Sequence, residues 1–535
     1  MSDKKVDKFV ADTSSGQIVR NGIHILIKFA LYILIGLFFV PFLVGQFGTT
    51  NYGLIALAGI LTQYIGLISE SVASSVNRFL LVELNRQNWE GANEIFNSAF
   101  VAYLGIYVLQ MPLFAIGIWK LDCLISFPEA ISRDVRYLVF ANVVCYGMNL
   151  FMGVLGAVLF AGNRLDILSK LETALLVMRT AALFAVLKIF SANLQYVGHI
   201  ELLIAALRFG IMCAIFRKYS GHLRLDLRKF SCKWFRPVLH MSGWVFLASF
   251  GFALFLNTDV WILNRMVSPA LAGVYAALLV WPNFIKQIAN QVSALLTPVF
   301  TIELAKYNTD KVAQLCLVSS RFLVFVTLAV ICPVLVFPKE LLGMWKPELA
   351  QYAYLLPFMI FYNAFTIPES VLWSVFLAEN KMYLKGKNDI ICGLMNVIFS
   401  IALVGFGLGA VGVAVATAVA LIIRNGILTP FQVSHLLKSS FRPYAALHAA
   451  SCMVLAVAFA LCGLYHWGSD TFSPLVILSG VFLSSMVGFF LPILLTYGIK
   501  QTLLMFVLLF KSMRDGKIES RLRSLLFLSS QIFSR

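Results

Sequence analysis

The chain has 535 residues, of which 60% are hydrophobic, and it carries a formal net charge of +17. A soluble core cannot hide that much apolar surface, so the composition excludes a soluble globular protein. The basic residues lie in short connections between apolar runs, not on a polar domain with interleaved aromatic side chains, so we predict no nucleic-acid partner.

Apolar runs of about 20 residues recur along the chain, and each is long enough to cross about 30 Å of hydrocarbon. The pattern predicts an all-α polytopic membrane protein with about fourteen transmembrane helices. In chain order, the predicted spans are 23–45, 53–80, 95–119, 135–160, 171–190, 197–216, 237–265, 270–300, 314–337, 351–378, 388–407, 410–432, 446–466 and 474–497.

Lysine and arginine are distributed unevenly over the connections between the spans. About 28 of the 42 lie in the N-terminal segment, the even-numbered connections and the C-terminal tail, and the linker 217–236 alone contains seven. The odd-numbered connections contain about five. Because basic loops are retained in the cytoplasm, both termini are predicted to be cytoplasmic.

An internal repeat relates the two halves of the chain. Residues 53–93 align without gaps on 273–313, which places Gly53 on Gly273, and "FAGNRLDILSKLE" (160–172) resembles "LAENKMYLKGKND" (377–389). Both copies start on the cytoplasmic side, so the repeat is parallel, and a cavity between two such lobes is typical of alternating-access transporters. The predicted domains are an N-terminal lobe of spans 1–6 (1–216), a basic cytoplasmic linker (217–236), a C-terminal lobe of spans 7–12 (237–432), and spans 13 and 14 with a basic amphipathic cytoplasmic tail (433–535).

A polar stripe follows one face of span 8. Its members recur at i, i+3, i+4, i+7 and i+8: Asn283, Lys286, Gln287, Asn290 and Gln291. The equivalent helix, span 2, turns Gln63 and Glu70 to one face. A lipid-facing stripe is excluded, because a charge at the bilayer centre costs at least about 2.5–3.5 kcal/mol. The stripe therefore either lines the cavity or forms a structural seam in which Lys286 pairs with a carboxylate such as Glu70.

The charged side chains deep in the spans decide which substrate a cavity would suit. The basic ones are Arg179, Arg208, Lys286 and Arg424, against the acids Glu70 and Glu369. A cationic cavity suits an anionic substrate, and arginine matches phosphate oxygens in a bidentate way. The predicted substrate-binding residues are Arg179, Arg208, Lys286, Arg424, Asn283, Gln287, Asn290 and Gln63. The residues predicted to couple an ion or to pair charges are Glu70, Asp259 and Glu369.

No enzyme signature is present, and we predict no catalytic residue, cofactor or metal. The sequence has no P-loop, no HExxH, no GxSxG and no His/Cys cluster with metal-ligand spacing. A membrane-embedded glycosyltransferase, ligase or polymerase is a weaker interpretation, because the longest predicted outer loop (120–135) holds only about 16 residues.

Several segments together resemble a known family. They are "FGTTNYGLIALAG" after span 1, "LISESVASSVNRFL" in span 2, "ELNRQNWEGANEIFNSA" in the next loop, "NTDVWILNRMVSPALAGVYAA" leaving span 7 and "FLAENKMYLKGKND" after span 10. With the arrangement of six, six and two spans, they resemble the polysaccharide exporters of the multidrug/oligosaccharidyl-lipid/polysaccharide superfamily. Within it, the chain is most similar to the O-antigen and teichoic-acid flippases of bacteria.

The resemblance implies a flippase in the bacterial cytoplasmic membrane. It would move an undecaprenyl-pyrophosphate-linked oligosaccharide, such as an O-antigen, capsule or exopolysaccharide repeat unit, from the inner to the outer leaflet. The implied partners are this lipid-linked oligosaccharide, membrane lipid and the glycan polymerase and ligase machinery, with a monomeric chain. The alternative is an ion-coupled multidrug or small-solute exporter of the same superfamily. Those exporters generally place an essential carboxylate in the first span, where this chain has Lys28 and no acid.

Overall fold

The computed structural model describes residues 15–86, 88–161, 164–220, 223–256, 258–287, 309–379, 381–468 and 479–495. Within these ranges all regular structure is helical and no strand is present, which confirms the predicted all-α fold class. Helical segments lie at all fourteen predicted spans. Nine described helices are long and apolar enough to cross a membrane, and the first of them, Ile27–Ile68, covers two predicted spans. The chain is a multi-pass membrane protein.

Packing divides the chain into two compact units, which are described separately. The first comprises Met1–Val280 with Asp389–Val413, and the second comprises Trp281–Asn388 with Ala414–Arg535. These boundaries follow contacts in one conformation rather than the sequence repeat, so the two lobes inferred from the repeat remain a prediction.

The helices up to Leu278 belong to the first unit. They are α1 (Ser15–Asn85), α2 (Trp89–Trp119), α3 (Ser132–Ala161), α4 (Leu165–Ile189), α5 (Leu194–Tyr219), α6 (Cys232–Leu256), α7 (Thr258–Met266) and α8 (Pro269–Leu278). A further helical stretch covers residues 280–287.

The later helices are divided between the two units, and most belong to the second. They are α9 (Thr309–Val336), α10 (Met382–Gly405), α11 (Gly409–Leu421), α12 (Thr429–Leu436), α13 (Arg442–Gly468) and α14 (Ser479–Leu495). The predicted tenth span is a chain of short helical pieces, Leu355–Ile360, Asn363–Thr366, Pro368–Leu372 and Trp373–Ala378. A π-helical segment, Ile422–Leu428, joins α11 to α12.

Glycine and polar capping side chains set the ends of several helices. Gly48, at φ 70° and ψ 169°, breaks α1 between the first two spans, in a conformation that glycine adopts without steric cost. The Asn88 side chain caps α2 by accepting from the Gly91 amide at 3.0 Å. Ser268 caps α8 in the same way, with Pro269 at the first helical position.

Two glycines allow α1 and α8 to meet at backbone distance. A Cβ atom on Gly53 would lie 2.7 Å from the Gly273 Cα, and one on Gly273 would overlap the Thr49 carbonyl oxygen. Small residues permit such close helix crossings in membrane proteins. Gly53 and Gly273 are equivalent positions of the predicted repeat, so this crossing joins the same point of both copies.

A loop between α2 and α3 is fastened to α7. The Trp261 indole donates to the Leu124 carbonyl at 2.7 Å, and the Asn264 amide exchanges two hydrogen bonds with the Ser126 backbone at 2.6 and 3.0 Å. Within the loop, the Asp122 carboxylate forms an ion pair with the Arg136 guanidinium at 2.6 Å. A hydrogen bond from the Asp122 backbone amide and this arginine hold the pKa of Asp122 below its usual value. The ion pair therefore persists at neutral pH and would be lost only as the pH falls through that lowered pKa.

Cys123 in this loop tests the predicted orientation of the chain. Its side chain is exposed, and the connection 120–135 is predicted to lie outside the cell. A membrane-impermeant maleimide is therefore expected to label intact cells that produce the wild-type protein, and the Cys123→Ser variant should lose that label. Labelling of Cys123 that begins only after the cells are opened would place the loop in the cytoplasm and reverse the predicted topology.

Candidate functional site

A cavity of about 700 Å³ lies within the first unit, among α1, α3, α4 and α5. Its volume falls in the range of ligand-binding sites. The polar side chains of its lining are Thr62, Gln63, Asn142, Tyr146, Asn149, Glu172, Arg179, Glu201 and Arg208. An adjoining pocket of about 310 Å³ shares several of these residues and extends to Lys28 and Tyr32 on α1.

The charged residues of the cavity form two acid–base pairs with the same sequence spacing, one on each of two helices. Glu172 and Arg179 on α4 are seven residues apart, and so are Glu201 and Arg208 on α5. Seven residues are about two helical turns, so each helix carries an acid and a base on one face, about 10 Å apart. Because consecutive spans run in opposite directions, each acid can meet the base of the neighbouring helix.

The structure contains these reciprocal pairs. The Arg179 Nε donates to the Glu201 carboxylate at 2.6 Å, and the Arg208 guanidinium donates to Glu172 at 3.1 Å. Arg208 also donates to the Asn149 side chain at 3.1 Å. The Lys28 ammonium of α1 forms a second ion pair with Glu172.

The cavity is lined by two cations and two carboxylates, and the adjoining pocket adds a third cation, Lys28. Lys28, Arg179 and Arg208 supply three cations against the two carboxylates of Glu172 and Glu201. The side chains of Arg208 and Glu172 are 32% and 25% exposed, so a molecule in the cavity can reach both of them.

The structure brings three of the predicted site residues together, namely Gln63, Arg179 and Arg208. It adds Glu172 and Glu201, which lie inside predicted spans 5 and 6 but are absent from the predicted acidic set. The cavity is therefore less cationic than predicted. The repeated spacing of acid and base could have revealed both glutamates from the sequence.

The other predicted cations lie in the second unit and do not line this cavity. The Lys286 ammonium lies 5.5 Å from the centre of the Tyr362 ring, and the Arg424 guanidinium lies 5.1 Å from the Trp373 ring. Both are cation–π contacts, and Arg424 is buried within the π-helical segment. The predicted residues next to Lys286 are Asn283, which is exposed, Gln287, which is half-buried, and Asn290, which lies outside the described residues.

Asp259 belongs to a buried polar network of the first unit. Asp259 on α7 accepts from the Tyr275 hydroxyl at 2.9 Å, and the Asn396 amide of α10 approaches it at 3.5 Å. These contacts account for its burial, because buried charges need such partners. Glu70 lies on α1, but its side chain is outside the described residues.

Among the described acids of the second unit, Glu369 has no exposed surface. The His448 Nε2 of α13 lies 3.7 Å from its carboxylate and 2.9 Å from the Gly426 carbonyl oxygen in the π-helical segment. Cys316 of α9 and Tyr444 of α13 lie close enough to interact electrostatically with Glu369.

The helical bundle has the fold of the transporters of the MOP superfamily. The inward-facing structure of a multidrug resistance MATE transporter of that superfamily matches with a TM-score of 0.66, over 79% of this chain and 99% of its own, at 14% identity. The lipid II flippase MurJ, in an inward closed conformation, matches with a TM-score of 0.65, over 89% of this chain and 98% of its own, at 12% identity.

Among curated proteins, the membrane protein EpsK of Bacillus subtilis (strain 168), whose function is described as uncharacterized, is 24% identical over 426 residues. That alignment covers 77% of this chain and 82% of EpsK. No protein-family profile matches the chain. These similarities confirm the predicted resemblance to the superfamily at the level of the fold.

Proposed function

We propose that this chain is a flippase that moves an undecaprenyl-pyrophosphate-linked oligosaccharide from the inner to the outer leaflet of the bacterial cytoplasmic membrane. The observation that carries the proposal is the group of three cations, Lys28, Arg179 and Arg208, that line the adjoining pocket, two of them shared with the cavity among the spanning helices. The similarity of the fold to a lipid II flippase supports it.

The chemistry of the cavity fits a lipid pyrophosphate. Planar guanidinium groups bind phosphate oxygens through paired hydrogen bonds, and a lysine ammonium adds a compact charge. The amides of Gln63, Asn142 and Asn149 offer donors and acceptors of the kind that sugar hydroxyls use. In this arrangement the pyrophosphate binds the cations, the glycan occupies the polar cavity, and the polyprenyl tail remains in lipid.

The membrane potential favours export of such a substrate. Moving one charge through 100 mV changes its free energy by about 2.3 kcal/mol. In a cell that is negative inside, the free energy of a headgroup with about two negative charges therefore falls by about 4–5 kcal/mol per 100 mV when it moves outward.

The second candidate function is export of drugs or other small solutes, which the similarity to a MATE transporter supports. A cavity for cationic drugs would offer carboxylates in excess. Both carboxylates are already paired with cations, and in the adjoining pocket the cations outnumber the carboxylates by three to two. The charge of this pocket therefore favours the anionic lipid.

We also propose that Glu369 couples transport to protons. A carboxylate with no exposed surface inside a spanning bundle is costly when charged, so such groups commonly bind and release protons as part of function. His448, at 3.7 Å, gives the proton a second titratable group within the same site.

Binding of the lipid-linked oligosaccharide to the purified protein tests the flippase proposal. By native mass spectrometry, Arg179→Ala and Arg208→Ala are each expected to weaken binding by about 10- to 100-fold, because each removes a hydrogen-bonded charge worth about 1.5–3 kcal/mol. Arg133→Ala removes an exposed arginine of the same unit and should bind like wild type.

Four other outcomes have separate meanings. Unchanged binding in both variants would remove the cavity as the anion site. No binding by wild type would favour the exporter of other solutes. Weaker binding by Lys286→Ala would add Lys286 to the binding residues. If Lys286→Ala binds as tightly as the wild-type protein, the role of Lys286 is packing on Tyr362.

A further inference from the structure

Glu172 differs from the other carboxylate of the cavity in the number of cations it holds. Its Oε1 accepts from Arg208 at 3.1 Å, and its Oε2 pairs with Lys28. Both contacts of Glu201 go to one partner, Arg179, through a single oxygen. Glu172 therefore bridges two cations from two different helices, α1 and α5.

A carboxylate bridged in this way occupies the position that a phosphoryl group would need. A phosphoryl group also presents several oxygens that can each accept from a different cation. Lys28 and Arg208 hold two positive charges, and Glu172 cancels one of them. All three side chains are partly exposed, so an anion in the cavity can displace the carboxylate.

We propose that Glu172 is a resident competitor for the anionic headgroup of the substrate and sets the affinity and charge selectivity of the cavity. This inference rests on the proposed function, because it takes the headgroup to be a pyrophosphate. A pyrophosphate carries more charge than the carboxylate and displaces it from Lys28 and Arg208. A neutral headgroup cannot displace the Glu172 carboxylate from these two cations.

The same exchange explains how the cavity can release a tightly attracted anion. When the pyrophosphate leaves, Glu172 returns to Lys28 and Arg208, so the two cations are never left without a counter-charge in a membrane interior, where an unpaired charge is costly. Binding is thereby held to a strength that still permits release.

The experiment measures binding of glycan-free undecaprenyl pyrophosphate and of undecaprenol to purified protein. Glu172→Gln is expected to bind the pyrophosphate about three to ten times more tightly than wild type, because one competing charge of intermediate exposure is removed. Binding of undecaprenol, which has no charge, should not change. Glu172→Asp, which keeps the charge, should bind less tightly than Glu172→Gln.

Two further variants and one wild-type measurement complete the design. Asp122→Asn makes the same charge change outside the cavity and should leave the affinity unchanged. In the Arg208→Ala background the gain from Glu172→Gln should shrink, because the two residues act on each other. In wild type, undecaprenyl monophosphate should bind about tenfold more weakly than the pyrophosphate, since it competes with less charge.

The outcomes separate this inference from the proposed function. If the wild-type protein binds the pyrophosphate and Glu172→Gln binds it equally or more weakly, the inference is overturned and the flippase proposal stands. A gain that extends to undecaprenol would also overturn it, because the effect would then not be electrostatic. Absence of pyrophosphate binding in both proteins would reject the proposed function as well.

Discussion

Gly273→Ala is expected to destabilise the protein by about 3 kcal/mol, at the upper end of the usual cost of overpacking. The added methyl group would overlap the carbonyl oxygen of Thr49, a backbone atom that cannot rotate away. α1 and α8 would therefore have to separate. Thermal unfolding in detergent, followed by tryptophan fluorescence or by the monodisperse fraction that survives heating, measures the effect.

Gly105→Ala is the matched control for this substitution. Gly105 lies within α2, and a Cβ atom there would meet nothing within 4 Å. Alanine at this position should be neutral or should stabilise the helix by up to about 1 kcal/mol. If Gly273→Ala proved as stable as Gly105→Ala, the backbone contact between α1 and α8 would be absent from the protein in solution.

Glu369→Gln is expected to abolish the response of flipping to an imposed pH gradient. Glutamine has the same shape as glutamate but cannot take up or release a proton, so only His448 remains titratable and the proposed proton-binding carboxylate is lost. The assay uses proteoliposomes loaded with the lipid-linked oligosaccharide, and an added glycosidase reports its arrival in the outer leaflet. Rates are compared with and without the gradient.

Glu348→Gln removes a carboxylate of the same unit that is 64% exposed and pairs with Lys346, so it should respond to the gradient as wild type does. Size-exclusion chromatography of both variants separates a transport effect from loss of folding. A normal gradient response in Glu369→Gln would exclude this residue as the proton site and direct attention to Asp259 or Glu70, or to the membrane potential alone.

Helix positions could be predicted well because each span must be a long apolar run, and the sequence records such runs directly. The neighbours of each helix could not be predicted in the same way. The stripe on span 8 predicts a polar or charged partner for Lys286, whereas the structure places its ammonium beside the Tyr362 ring, whose approach depends on tertiary packing. Similarly, hydropathy gave no sign of the π-helical turn that carries Arg424, because one added residue per turn leaves an apolar run apolar.

Part of the candidate site could be predicted from the sequence. Charge depth identified Arg179 and Arg208, and the equivalence of spans 2 and 8 identified Gln63. Glu172 and Glu201 were not predicted, because they lie near the starts of predicted spans 5 and 6 and not among the deep charges. Their spacing of seven residues from an arginine, repeated on consecutive helices, carries the information that charge depth lacks.

The crossed pairing of α4 and α5 also bears on how the chain enters the membrane during synthesis. Either helix alone would bring one acid and one base into the hydrocarbon, each at a cost of about 2.5–3.5 kcal/mol on the scale for insertion through the translocon. Only residues 190–193 separate the two helices. A hairpin that leaves the translocon as one piece would enter lipid with these four charges already paired, so we expect α4 and α5 to insert together.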